Sequence, residues 1–195
     1  MDGVENTCLV TMRPIAEKDY PDIYKMYKND RLIHLWSPDT VYIDFEYFKR
    51  KICRRFKYRW DHSVAFEMKP LNEVSGFGYC YNINSSSHNA CVCLFVNEPY
   101  IGKLPALHAS YLYLQDLFEN KNYLKLYSEV FEYNTRCIKL LRHLGFRQEG
   151  CLKAHQQWNG RYWDQYIFSI SRDDFNNIKQ KYRTILQRAL NNESS

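Results

Sequence analysis

Glycine is scarce in this chain. Seven occur among 195 residues, about half of average usage, so each glycine is worth locating. Long apolar runs are missing too. No stretch approaches the roughly 18 residues that a membrane-spanning helix needs, and no N-terminal apolar run follows a basic cluster, so neither a membrane span nor a secretory signal is expected. The seven cysteines are odd in number and show no paired spacing. That excludes a disulfide framework and points to a reducing cytoplasm. Cys91 and Cys93, two apart on a strand beside His88, do not have zinc spacing, so core packing is preferred and no metal is expected. Charge of one sign is not dominant either. A net charge of +5 permits an acidic partner without demanding one. Internal repeats, linkers and low-complexity tracts are absent.

What is present is a core. Apolar residues make up 45% of the chain, and tyrosine alone contributes 17 copies. Residues 1–7 read as a loose start. Cys8 to Met12 reads as a short strand stopped by Arg13-Pro14. A helix opening at Glu17-Lys18-Asp19 would bury Tyr20, Ile23, Met26 and Tyr27. A second helix over residues 43–60 carries Phe45, Phe48, Ile52 and Phe56 at helical spacing. Its other side is basic: Lys49, Arg50, Lys51, Arg54, Arg55, Lys57 and Arg59. Strands are expected at 63–68, 74–82 and 90–96, with a turn from Asn84 to Asn89. A helix over 104–119 would pack through Leu107, Tyr111, Leu114 and Phe118. A strand at 124–131 and a helix at 135–143 follow, the helix capped by Gly145. Strands at 148–157 and 162–171 are joined by Asn159-Gly160, a hairpin turn signal. A closing helix, 173–190, turns Phe175, Ile178, Tyr182, Ile185 and Leu186 inward, and residues 191–195 should fray. Together these give a domain over 8–171, then a C-terminal amphipathic helix and tail over 172–195.

The densest signal lies between Asn134 and Asp164. It runs Asn134, Leu141, Leu144-Gly145-Phe146, Glu149-Gly150 and Asn159-Gly160-Arg161-Tyr162-Trp163-Asp164. This pattern resembles the GNAT superfamily of acyl-CoA-dependent N-acyltransferases, and within it the branch of ribosomal-protein N-terminal and spermidine acetyltransferases. The resemblance spans about residues 11–170. It implies an α/β (α+β) fold: a mixed, mostly antiparallel sheet with helices on both faces. It also implies acetyl-CoA as co-substrate.

In that family the fourth and fifth strands splay apart to seat pantetheine, and a glycine-bearing loop then wraps the pyrophosphate. The matching segment here is Ile101-Gly102-Lys103-Leu104-Pro105-Ala106. Gly102, Lys103 and Ala106 fit. Ile101 replaces a basic or amide residue, and Leu104 replaces a glycine, where a left-handed backbone would cost about 1 kcal/mol or more. Pro105 withholds one N–H but suits a helix's first turn. Asn134 is expected both to cap a helix and to hold the cofactor arm.

The resemblance implies direct attack of a neutral amine on the thioester, with a backbone N–H near Phe95 or Val96 stabilising the oxyanion. Glu129, Glu132, Glu98 and Glu149 are candidate bases, each weighed against a plain surface carboxylate. Tyr133 and Cys137 are candidate acids, although Cys137 also reads as a packing residue. Leu141 stands where many members carry the acidic tyrosine. Trp36 reads either as a lid over the core or as an aromatic wall for the acceptor amine. The acceptor would be a small-molecule amine or a protein N-terminus. The basic face from Lys49 to Arg59 reads as a solvated surface or as a dock for an acidic partner such as a carrier protein. Leu104 and Leu141 keep two alternatives open: a GNAT-like binding or regulatory module without catalysis, or an enzyme fed by an acyl-carrier protein.

Overall fold

The computed structural model describes residues 9–36, 43–68 and 73–193, with side chains as far as 188. The expected loose start over 1–7, Cys8, and the last two residues of the expected frayed tail lie outside these. In chain order the strands are β1 (Val10–Pro14), β2 (Asp61–Met68), β3 (Glu73–Asn84), β4 (Asn89–Val96), β5 (Lys125–Phe131), β6 (Arg147–Trp158) and β7 (Arg161–Ser171). They form one sheet in the order β1-β2-β3-β4-β5-β7-β6. Every neighbouring pair is antiparallel except β4 with β5.

Helices cover both faces, because both faces are apolar. Along β4, Ala90 and Val92 join one core cluster while Phe95 joins the other, the two-residue alternation that a sheet covered on both sides requires. The first cluster is closed by α5 (Leu104–Glu119), α6 (Thr135–His143) and α7 (Arg172–Glu193). The second is closed by α1 (Tyr20–Tyr27), the single-turn α2 (Ile33–Trp36), α3 (Phe45–Phe48) and α4 (Arg54–Tyr58). Phe175, Tyr182 and Leu186 of α7 are buried in the same cluster as Tyr111, Leu114 and Phe118 of α5.

Two expectations change at the level of elements. The first strand runs on through Pro14, which pairs with Val64; β1 is an edge strand, where a missing N–H is tolerated. The helix expected over 43–60 begins only at Phe45, where Asp44 accepts from the Tyr47 amide at 2.7 Å. It is also not uniform. A π-turn over Lys49–Cys53 separates α3 from α4, and the buried positions are Phe48, Cys53 and Phe56. The wide turn adds one residue between Phe48 and the next fully buried position, so Cys53 is buried while Ile52 packs partly buried against the same core.

The turns behave as their residues predict. Asn159 and Gly160 take φ of 51° and 76°, the conformation of a tight hairpin. Gly145 takes φ 83° after α6. The Gly145 amide donates to the Arg142 carbonyl at 3.1 Å and the Phe146 amide to the Leu141 carbonyl at 2.9 Å, which is a Schellman cap.

Candidate active site

β4 and β5 pair only through Asn89–Lys125, Ala90–Leu126 and Cys91–Tyr127. Beyond these residues β4 continues to Val96 along β3, and β5 continues to Phe131 along β7. The two strands therefore part into a V. On β4, the Asn97 amide that follows donates to the Ser75 carbonyl at 2.7 Å. A Cβ placed on Gly76 would stand 2.6 Å from the Phe95 carbonyl oxygen. Phe95 and Asn97 thus turn their polar groups toward β3. Alternation turns those of Leu94 and Val96 into the gap. Of the two oxyanion candidates, Val96 faces the gap and Phe95 does not; its ring lies in the second core cluster.

Below the V, the chain makes a 3₁₀ turn over Glu98–Tyr100, and Ile101 is extended. Gly102 takes φ 75°, and a Cβ added there would meet nothing within 4 Å. Lys103 caps α5 and Leu104 opens it, with Pro105 in its first turn. Leu104 therefore has a right-handed backbone. The left-handed residue of the loop is Gly102, so Leu104 does not carry the strain expected from its place in the family pattern. The first-turn amides of Leu104 and Ala106 have no partner within the helix. Together with the open Gly102 they form an anion-receiving helix start. These features fit a pyrophosphate, and Lys103 is exposed beside them.

Asn134 caps α6, its side-chain oxygen accepting from the Cys137 amide at 3.1 Å. Cys137 sits in the first turn of α6 and packs on the first core cluster; burial, followed by the influence of Cys93, pushes its thiol up to about 12. Tyr133 donates its hydroxyl to the His34 carbonyl at 2.9 Å, tying α2 to the β5–α6 junction. His34 in turn stacks on Trp158 at 4.5 Å, so the β6–β7 hairpin clasps the same place.

The face opposite α5 and α6 holds Glu129. Leu126 and Val130 belong to the first core cluster, which turns Glu129 to the other side, just past the last β4–β5 pair. Its carboxylate accepts from the Tyr81 hydroxyl at 2.9 Å. Burial, reinforced by the Glu129 charge, pushes the Tyr81 phenol well up, so Tyr81 remains a neutral donor. The other carboxylates are engaged elsewhere. Glu149 accepts from Lys125 at 2.6 Å and from the Ser169 hydroxyl at 2.6 Å. Glu98 accepts from Asn29 and Arg31. Glu132 is 3.5 Å from the Asp164 amide.

Trp36 completes this face. Its indole N–H donates to the Tyr79 hydroxyl at 2.8 Å, and its ring meets Tyr27, Phe77 and Phe95 at 5.1–5.8 Å. Tyr79 and Tyr81 were not singled out from the sequence. The available signal was their two-residue spacing on a strand rich in tyrosine. Leu141, at the place of the family's acid, is buried in the core and cannot supply a proton. Among the described residues no cluster of His, Cys, Asp and Glu could hold a metal, and no helix is long and apolar enough to cross a membrane.

A model of the "Acetyltransferase (GNAT) domain" family matches residues 12–167. The chain is 34% identical over 104 residues to an SPbeta prophage-derived N-acetyltransferase of Bacillus subtilis (strain 168), a match covering 53% of this chain and 59% of that protein. It is 27% identical over 154 residues to spermidine N(1)-acetyltransferase of Escherichia coli (strain K12), covering 78% and 81%. Among solved structures, spermidine N-acetyltransferase from Vibrio cholerae, in complex with CoA and spermine, superposes with a TM-score of 0.76 at 21% identity, covering 86% of this chain and 98% of that one. A GCN5-related N-acetyltransferase from Brucella melitensis gives 0.77 at 20% identity, covering 93% and 84%. The parted strands and helix start agree with these matches: the chain belongs to the GNAT acetyltransferase family and is an acetyl-CoA-dependent N-acetyltransferase with an amine as its acceptor.

Proposed function

We propose that the acceptor is a small-molecule primary amine that reaches the V from the face of Trp36, Tyr81 and Glu129. The observation that carries this reading is the Tyr81–Glu129 hydrogen bond at 2.9 Å, placed where β4 and β5 separate. The relatives named spermidine acetyltransferases support a small amine over a protein N-terminus.

Acetyl-CoA supplies the thioester carbonyl. Val96 and Leu94 offer backbone N–H groups in the gap, and Val96 is the proposed oxyanion donor. Gly102, Lys103, Leu104, Pro105 and Ala106 form the pyrophosphate seat, with Asn134 bordering the arm. Glu129 takes the proton from the incoming ammonium, directly or through water, while Tyr81 holds the carboxylate in place. Trp36 walls the acceptor side. Cys137 and Tyr133 are the proposed sources of the proton that neutralises the leaving thiolate. A thiol at about 12 gives up its proton to an ordinary thiolate, near 8.5, only uphill by roughly 5 kcal/mol. Solvent therefore shares this task, and Cys137 contributes little.

The free cysteines, Cys53, Cys80, Cys91, Cys93, Cys137 and Cys151, support a reducing cytoplasm. The Lys49–Arg59 face is exposed and is open to an acidic partner. The test is amine-dependent release of CoA thiol from acetyl-CoA. Glu129→Gln should lower kcat/KM by roughly 10²–10⁴ with little change in melting temperature. Unchanged kcat/KM would remove Glu129 from the base role.

A further inference from the structure

A shallow hollow of about 270 Å³ opens between the end of α4 and the end of β3, lined by Arg55, Arg59, Trp60, Tyr81 and Asn82. Two of its lining residues are arginines four residues apart. Both are exposed, and among the described residues neither lies in an ion pair. Like charges at this spacing repel each other on a helix, so an anion received between them is favoured twice. Arg55 is steadied over the Trp60 ring at 5.6 Å. Trp60 is itself stacked on Tyr79 at 3.9 Å and 11°. Of the carboxylates near it among the described residues, Glu129 is bonded to the Tyr81 hydroxyl, and Asp61 acts on His62, Cys80 and Tyr123. Cys80 and Tyr123 belong to the core cluster on the opposite face of the sheet.

The hollow is not remote from the reaction. Tyr81 is its shared wall, and the hydroxyl of Tyr81 bonds to Glu129. One phenol separates the two guanidinium groups from the proposed base. A planar guanidinium fork matches carboxylate or phosphate oxygens in pairs.

We propose that this hollow is the anion subsite of the acceptor pocket. The acceptor is then a small primary amine that also bears a carboxylate or phosphate group, with the anion between Arg55 and Arg59 and the amine at Glu129. The proposal rests on the acetyl-transfer reading above. It also separates this chain from the polyamine enzymes it resembles. A polyamine would bring a second ammonium against two guanidinium groups.

The experiment is a kinetic panel with acetyl-CoA at low ionic strength. The acceptors are β-alanine and 4-aminobutyrate as carboxylates, O-phosphoethanolamine as a phosphate, ethanolamine and propylamine as counterparts without an anionic group, and spermidine. The anionic acceptors should exceed these counterparts in kcat/KM by roughly tenfold or more, the worth of one charge-assisted hydrogen bond. That advantage should shrink as salt is added. The better of the carboxylate and phosphate arms names the group. Arg55→Gln and Arg59→Gln should each remove most of the advantage, leaving propylamine turnover and the KM for acetyl-CoA unchanged. Arg55→Lys should retain part of it. Both arginines are exposed, so a melting curve confirms that these variants fold. A preference for spermidine, or an equal loss for all amines in the arginine variants, overturns the subsite. Thiol release with propylamine but no anionic preference overturns the subsite alone. No release with any amine, and no stabilisation by acetyl-CoA, overturns the transfer reading beneath it as well.

Discussion

Single side chains hold this fold at a few expensive places. Asp19 is 2% exposed, and its carboxylate accepts from both terminal nitrogens of Arg13, at 2.7 and 2.8 Å, and from the Ala16 amide at 2.7 Å. Burial works against its charge, but these hydrogen bonds and the Arg13 charge outweigh it and hold the carboxyl below its ordinary value. A depressed carboxylate stabilises the fold above its ordinary pKa, and that contribution is lost as pH falls through the lowered value. Asp19→Ala should cost roughly 1–3 kcal/mol at neutral pH, because it removes a buried acceptor from Arg13 and from the Ala16 amide while Arg13 keeps Glu67 as a partner. The difference in unfolding free energy between wild type and Asp19→Asn should narrow below about pH 4, as urea titrations from pH 7 to 2 would show. At Cys137 the expectation runs the other way. A thiol that stays protonated reacts slowly with alkylating reagents. Cys137→Ala should lower kcat by less than about tenfold, which is small beside a general acid's usual worth. A larger loss would restore Cys137 as the acid.

Among the elements, the loop before α5 depends on one glycine. Gly102 takes φ 75° in open space, so an added methyl meets no atom and its cost is purely conformational, about 1–2 kcal/mol. Gly102→Ala should raise the KM for acetyl-CoA with kcat nearly unchanged, since the loop is the proposed seat of the donor's pyrophosphate and not of the reacting carbonyl. Gly76 makes the opposite case. Its φ is ordinary, yet a Cβ there would sit 2.6 Å from the Phe95 backbone oxygen. Backbone cannot yield as a side-chain tip can, so Gly76→Ala should force β3 from β4 and disturb the Val96 amide. Loss of both melting temperature and kcat is the expected signature. The π-turn over Lys49–Cys53 has its own consequence. It sets the phase of α4 and so brings Arg55 and Arg59 to one wall beside Trp60.

For the molecule as a whole, the closing helix is part of the core. As its apolar stripe predicts, Phe175 and Tyr182 are 1% exposed and pack against α5. The rings of Tyr111 and Phe175 lie 5.7 Å apart, and those of Phe118 and Phe175 5.2 Å apart. Tyr182 also donates its hydroxyl to the His143 carbonyl. Truncation after Ser171 would uncover several large aromatic groups, each worth roughly 1.5–3 kcal/mol of burial. The shortened chain is expected to aggregate or to lose its cooperative melting transition. The intact protein should melt higher with acetyl-CoA, by RT ln(1 + [L]/Kd) in free energy.

Periodicity and turn chemistry were enough to place α5 and α6 at their observed bounds, because each has a strong apolar stripe and a clear stop. The same holds for the Asn159-Gly160 hairpin and the Gly145 cap, where short-range conformational preference decides the outcome. The Asn134–Asp164 pattern was likewise enough to indicate the family. Four features were beyond the sequence: the π-turn, the left-handed residue at Gly102, the pairing of Tyr81 with Glu129, and the hollow between Arg55 and Arg59. The first two are local choices of backbone that periodicity does not report; the last two depend on contacts between segments far apart in the chain, Tyr81 and Glu129 being 48 residues apart. Local preference can build a strand or a helix, but only packing chooses which side chains from different elements meet. That choice decides where the proposed base stands and what else the acceptor would touch.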